Sequence, residues 1–150
     1  MNVGDVVDDF ELPDETGTPR TLSGLLEQGP VVLFFYPAAM TPGCTAEACH
    51  FRDLKSELAA VGAHPVGISA DSVDKQKQFT DKHEFGYPLL SDEDGAVRAT
   101  FGVKRGFALA PTKRQTYVID TDRRVLEVIK SEVRMNVHAD KALAALSKRA

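Results

Sequence analysis

The stretch Val31-Val32-Leu33-Phe34-Phe35-Tyr36-Pro37-Ala38-Ala39-Met40-Thr41-Pro42-Gly43-Cys44-Thr45-Ala46-Glu47-Ala48-Cys49 decides the fold. Its first six residues are apolar at every position rather than at alternate ones. That pattern predicts a central strand covered on both faces. From Pro42 the period changes. Cys49 or Ala48, then Leu54, Leu58 and Val61, recur at spacings near three and four, which predicts a helix from Pro42 to about Val61. Pro42 suits its first turn and Gly62 its C-terminal stop. A buried strand therefore ends in a turn that delivers Cys44 to the start of a helix. Backbone N–H groups point outward there and the helix dipole favours negative charge. A thiol in such a setting ionises more readily, and the thiolate is the nucleophile.

Outward from this unit, strand and helix signals alternate. Upstream, Phe10-Glu11-Leu12 and Arg20-Thr21-Leu22 flank the turn-rich Pro13–Pro19, which predicts a small hairpin. Ser23 is placed to cap a short helix through Glu27, stopped at Gly29-Pro30. Downstream, His64–Ala70 reads as a strand, and Asp71 or Ser72 can cap a helix to about Lys82. Pro88–Ser91 is short and extended, Asp92–Phe101 helical, and Gly102–Lys113 an exposed loop. Thr116–Asp120 and Val125–Ile129 pair across the turn at 121–124, and a last helix runs near His138 to Ser147. The pattern predicts an α/β fold: a mixed central sheet with helices on both faces and an N-terminal β-hairpin. No repeat or linker interrupts it, so 1–150 is expected to be one domain.

The chain has 150 residues and a net charge of -4, with Lys and Arg scattered, which argues against nucleic acid as a partner. The longest apolar segment, about ten residues, is too short to span a bilayer. No signal peptide is visible at Met1–Asp5, so the expected compartment is the cytoplasm. Disulfides there are usually transient and catalytic or redox-sensing. Cys44 and Cys49 are the only cysteines. A metal site at Cys49-His50 is not expected, because Cys-x4-Cys-His lacks the usual ligand pairing. His64, His83 and His138 are assigned surface or structural roles.

The residues match a known family. Pro37-x-x-x-Thr41-x-x-Cys44 resembles the active-site signature of the peroxiredoxins. The longer string from Phe35 to Asp53 resembles the peroxiredoxin Q, or bacterioferritin comigratory protein, subfamily. Gly4-Asp5-x-x-x-Asp9-Phe10-x-Leu12-Pro13 and Lys113-Arg114-Gln115-Thr116-Tyr117-Val118-Ile119-Asp120 fit the same pattern, so the resemblance covers most of the chain. One departure is visible: Ala38-Ala39 stand where the family often has charged or polar residues. The resemblance implies a thioredoxin-like fold and thiol-dependent reduction of hydrogen peroxide and organic hydroperoxides, with no metal, haem or flavin. It implies Cys44 as the peroxidatic cysteine with Thr41 and Arg114 beside it. Cys49 takes the place of the resolving cysteine, and thioredoxin or a similar dithiol is the implied reductant.

The chemistry suits these residue types. Thr41 offers a hydroxyl to the sulfur or the peroxide. Arg114 brings a fixed cationic fork. Pro37 and Pro42 stiffen the turn. Glu47, one turn beyond Cys44, can orient an arginine or, as an anion, oppose the thiolate; a helix-surface acid is the alternative. Once the disulfide is implied, geometry constrains it. Five residues along an ideal helix put two Cα atoms roughly 8.7 Å apart, whereas a disulfide wants about 4.4–6.8 Å. The first turns of the helix must therefore unwind in each cycle. Internal resolution removes the need for a partner subunit, so a monomer is expected, with a dimer as the alternative. Phe101, Phe107, Leu109 and Ala110 are candidates for a rim taking larger hydroperoxides, with packing favoured for Phe101. Two rival functions remain. A thiol–disulfide oxidoreductase would show Cys-x-x-Cys, which is absent. A peroxide-sensing interaction protein would oxidise without turning over.

Overall fold

A computed structural model of the chain describes residues 1–104 and 112–149. In chain order the elements are β1 (Glu11–Pro13), β2 (Pro19–Thr21), α1 (Leu22–Leu26), β3 (Val31–Phe35), α2 (Pro42–Asp53), α3 (Lys55–Ala60) and β4 (His64–Ser69). They continue as α4 (Val73–His83), β5 (Leu89–Ser91), α5 (Ala96–Phe101), β6 (Gln115–Ile119), β7 (Val125–Lys130) and α6 (Asn136–Arg149). β1 and β2 form the antiparallel N-terminal hairpin, with Leu12 opposite Arg20. The main sheet has the order β5-β4-β3-β6-β7. β3 is its middle strand, parallel to β4 and antiparallel to β6.

The uninterrupted apolar run of β3 follows from that position. Val32, Phe34 and Tyr36 face a core closed by Ala48 and Phe51 of α2, Phe79 of α4, and Ala139, Ala142 and Leu146 of α6. Val31, Leu33 and Phe35 face the opposite core, closed by Leu22, Leu25 and Leu26 of α1 and by Val97 and Phe101 of α5. Every residue of β3 is buried. Phe101 is a packing residue of the second core; Phe107, Leu109 and Ala110 lie outside the described residues. Among the described residues no helix is long and apolar enough to cross a membrane.

Several boundaries differ from the sequence expectation. The helix expected over 42–61 breaks at Leu54 (φ −95°, ψ 8°) into α2 and α3. Phe51 and Leu58 both remain fully buried in one cluster, so the apolar period runs through a break that it cannot reveal. Thr21, not Ser23, caps α1: its hydroxyl accepts from the Gly24 N–H, while Ser23 donates to Asp9. Of the two candidates at the start of α4, Ser72 is the cap. The segment Asp92–Gly95 is a turn rather than helix. Asp92 is buried there and accepts from the Val97 and Arg98 N–H groups, and Gly95 has φ 81°.

Candidate active site

The turn leaving β3 is fastened from the neighbouring strand. The Ala39 N–H donates to Asp71 Oδ2 at 2.7 Å, and the Ser69 hydroxyl donates to the same oxygen at 2.6 Å. Asp71, just after the end of β4, thus shapes the loop that follows β3. Pro37 is half-buried at the start of this turn, and Met40 has φ 69°. Thr41 stands at the helix N-cap position, exposed. Its hydroxyl donates to the Ala38 carbonyl at 2.7 Å and caps no helix N–H. What Thr41 can offer a peroxide O–H in this arrangement is its lone pairs.

Cys44 is the third residue of α2 and is turned inward, 1% exposed. The first intrahelical bond here runs from the Thr45 N–H to Thr41 O, so the preceding amides fall in the unsatisfied first turn. Gly43 leaves little room for a side chain at this point. A Cβ there would come 3.1 Å from the Met135 methyl carbon and 3.3 Å from Arg114 Nη2.

Arg114 enters the site from the residue before β6. Its Nη2 donates to Cys44 Sγ at 3.4 Å and its Nη1 to Glu47 Oε1 at 2.7 Å, while its backbone N–H donates to Glu132 Oε2. Guanidinium, sulfur and carboxylate are all buried. Burial works against the charge on Arg114, but Glu47 and the Cys44 sulfur outweigh it and hold the guanidinium above its ordinary value. Glu47 is pushed up to about 8: loss of water outweighs the pull of Arg114. The cluster therefore favours the arginine's charge over the glutamate's, because the guanidinium bonds both the sulfur and the carboxylate while that carboxylate is shut off from solvent. Glu47 is buried and accepts from Arg114, so it is not a helix-surface acid.

Two buried atoms of this cluster have no hydrogen bond, Glu47 Oε2 and Arg114 Nε. Leaving such a group unpaired costs about 1–3 kcal/mol, more when it is charged. His138 Nε2 lies 3.7 Å from Glu47 Oε2.

Cys49, half-buried, lies farther along the unbroken α2, and both thiols are free. Its neighbours are tied down. Tyr87 Oη donates to the Ala48 carbonyl at 2.7 Å, and His50 Nε2 is 2.8 Å from Asp140 Oδ1 on α6. Arg52 Nη1 donates to the His83 carbonyl at 2.8 Å, and the Phe51 ring stacks on Phe34 with centroids 4.2 Å apart.

The structure thus brings together Pro37, Thr41, Cys44, Glu47 and Cys49 along one strand–turn–helix unit and adds Arg114 from across the sheet. Asp71, Tyr87, Glu132, Met135 and His138 also bear on this unit, and no sequence motif marked them. His138 is fully buried, with its ring nitrogens 2.8 Å from Thr116 Oγ1 and 2.9 Å from the Ser131 carbonyl. Among the described residues no group of three or more His, Cys, Asp or Glu is arranged to hold a metal. A cavity of about 450 Å³, lined by residues including Arg20, Lys55, His64 and Tyr87, lies away from Cys44.

Residues 3–128 match the AhpC/TSA family. The crystal structure of peroxidoxin BcpB from Mycobacterium tuberculosis superposes with a TM-score of 0.96 at 66% identity, covering 99% of this chain and 97% of that one. A cysteine-to-serine mutant of Xylella fastidiosa PrxQ superposes at 0.89 with 29% identity, covering 99% of this chain and 97% of its own. Chloroplastic peroxiredoxin Q of Sedum lineare is 40% identical over 137 residues, 91% of this chain and 73% of the relative.

Proposed function

The chain belongs to the AhpC/TSA family and is a peroxiredoxin, a thiol-dependent peroxidase, and from that premise we propose that Cys44 is its peroxidatic sulfur and Cys49 the thiol that resolves it. One observation carries the assignment: a single buried arginine fork grips both the Cys44 sulfur and the Glu47 carboxylate. The Cys44 thiolate attacks the terminal oxygen of a hydroperoxide. The O–O bond breaks, the sulfur becomes a sulfenic acid, and the alkoxide or hydroxide leaves, taking from solvent the proton that Cys44 gave up on ionising, as alcohol or water. Arg114 lies where negative charge grows on the departing oxygen. Glu47 fixes the plane of the guanidinium, Thr41 accepts from the peroxide O–H, and Pro37 limits the turn. Hydrogen peroxide and organic hydroperoxides both fit this chemistry.

Cys49 then displaces hydroxide from the Cys44 sulfenic acid; a disulfide forms and water leaves. The five-residue spacing on an intact α2 forbids that bond, so one part of the helix must move. The distribution of contacts favours the N-terminal turn. Thr41 gives it no side-chain cap, and the polar hold on its Cys44 side chain is Arg114. Oxidation of the thiolate to a neutral sulfenic acid weakens that hold. The residues around Cys49 are anchored by Tyr87, Asp140 and Phe34. Cys44 therefore travels to Cys49. A dithiol such as thioredoxin reduces the disulfide by exchange. One domain over 1–150, a monomeric state and a cytoplasmic location complete the proposal; internal resolution needs no second subunit, and the cytoplasm supplies dithiol reductants.

The test is a steady-state assay with hydrogen peroxide, thioredoxin, its reductase and NADPH. The unaltered chain should turn over and Cys44→Ser should fall to background. Residual turnover of Cys44→Ser would defeat the assignment, and a chain that oxidises once without cycling would be a sensor instead.

A further inference from the structure

We infer that His138 is a positioning residue of the peroxidatic centre: its imidazole, buried and fixed in one tautomer, steadies Glu47, which in turn holds Arg114 against Cys44. The inference rests on the proposed role of Cys44. His138 lies on α6 and is 0% exposed. The Ser131 carbonyl can only accept, so Nε2 carries the ring hydrogen and donates to it at 2.9 Å. Nδ1 is then the acceptor for the Thr116 hydroxyl at 2.8 Å. Burial holds this imidazole below its ordinary value, in keeping with a neutral ring. Two hydrogen bonds, one to β6 and one to the segment after β7, fix the ring plane.

That plane brings Nε2 to 3.7 Å from Glu47 Oε2, the carboxylate oxygen that has no hydrogen bond. The distance is too long for a hydrogen bond. The Nε2 hydrogen is directed at the Ser131 carbonyl, but in a dry site the positive edge of the ring this close still favours the ionised carboxylate. An ionised Glu47 grips the Arg114 fork more strongly than a neutral one would. The line of contact therefore runs from Thr116 and Ser131 through His138, Glu47 and Arg114 to the Cys44 sulfur. Arg114 and Glu132 also bear on both Glu47 and His138, Lys141 bears on His138, and Tyr87 feels the Glu47 charge.

Two readouts test the inference. The first is the pH titration of Glu47, followed by the C=O stretching band of its protonated form in infrared difference spectra. Glu47→Gln identifies the band by abolishing it. His138→Leu should raise the midpoint by roughly one pH unit, and His138→Gln, which restores an N–H donor, should recover most of the shift. The second is the rate at which hydrogen peroxide oxidises Cys44 in a single turnover. His138→Leu should slow it roughly tenfold, the cost of a displaced catalytic group, and should add nothing further in the Glu47→Gln background. An unmoved midpoint, or the same loss with and without Glu47, overturns the inference. If His138→Leu does not fold, Thr116→Val removes only the hydroxyl that fixes the ring and should move both readouts in the same direction by less. No movement there is equally decisive. If the unaltered Cys44 ignores peroxide, the proposed function fails, while the infrared titration still decides whether His138 bears on Glu47.

Discussion

The two cysteines share one helix and live in opposite mechanical settings. Cys44 lies in a first turn without a side-chain cap; it packs into the apolar core, and its polar side-chain bond is to Arg114. Cys49 lies between an Ala48 carbonyl clamped by Tyr87 and a His50 paired to α6, next to a ring stacked in the core. The first hold depends on the charge state of the sulfur, so it weakens when the sulfur is oxidised. The second depends on burial and on hydrogen bonds that oxidation of Cys44 leaves alone. On the proposed mechanism, the helix is thus firm where the resolving thiol waits and releasable where the reactive thiol must leave. Local stability within one element is set by what each turn touches, not by helix propensity.

The most direct way to break this contrast is to remove the waiting thiol. Cys49→Ser should consume its first equivalent of peroxide at the unaltered rate, then overoxidise and lose essentially all turnover with thioredoxin. Undiminished cycling would mean that an external thiol resolves Cys44. Next in size is the electrostatic hold. Arg114→Lys keeps the charge but loses the fork, and the rate of peroxide reduction should fall on the order of a hundredfold. A change within a factor of two would show that charge alone suffices.

Removing one tether of the firm half sharpens the comparison. Tyr87→Phe deletes the hydrogen bond to the Ala48 carbonyl and should cost about 1 kcal/mol of stability. Amide exchange over residues 48–52 should speed up in the reduced protein, while peroxide oxidation of Cys44 stays unchanged. In the unaltered protein, exchange over 43–51 should rise on oxidation, most at the N-terminal end; equal protection in both states would sink the unwinding step.

A further test concerns pH and stability. Glu47 titrates near 8 in the folded protein, against an ordinary value of 4.5. Between those limits the unfolded chain has released a proton that the folded chain retains. Stability should therefore fall as pH rises through this window and level off above about 8. Glu47→Gln should lack this component, so its melting temperature should decline less between pH 5 and pH 8. Parallel curves for the two proteins would show that Glu47 is ionised throughout.

Much of the site was legible without coordinates because it is local. An apolar run, a proline-bounded turn and a change of period place Cys44 at a helix start, and the spacing to Cys49 follows from counting. Arg114 came from the family resemblance, on a segment that reads otherwise as the lead-in to a strand. Glu47 was legible as a residue one turn from Cys44, but its burial was not. On sequence alone a glutamate beside Ala46 and Ala48 is as good a surface acid as a buried partner. The break at Leu54 was hidden for a related reason, since both helical pieces present apolar residues to one core.

The sequence by itself determined the strand–turn–helix unit, most of the order of elements and the positions of the two thiols, because those depend on periodicity and near-neighbour sterics. Tertiary structure alone decided what surrounds the sulfur. Arg114 meets Cys44 across 70 residues of chain, Thr116 meets His138 across 22, and Asp71 meets Ala39 across 32. Such contacts exist only because β3 lies between β4 and β6, which brings the C-terminal ends of β3 and β4 and the start of β6 to one end of the sheet. Charge and desolvation act through distance in space, and distance along the chain carries almost no information about it once the sheet has formed.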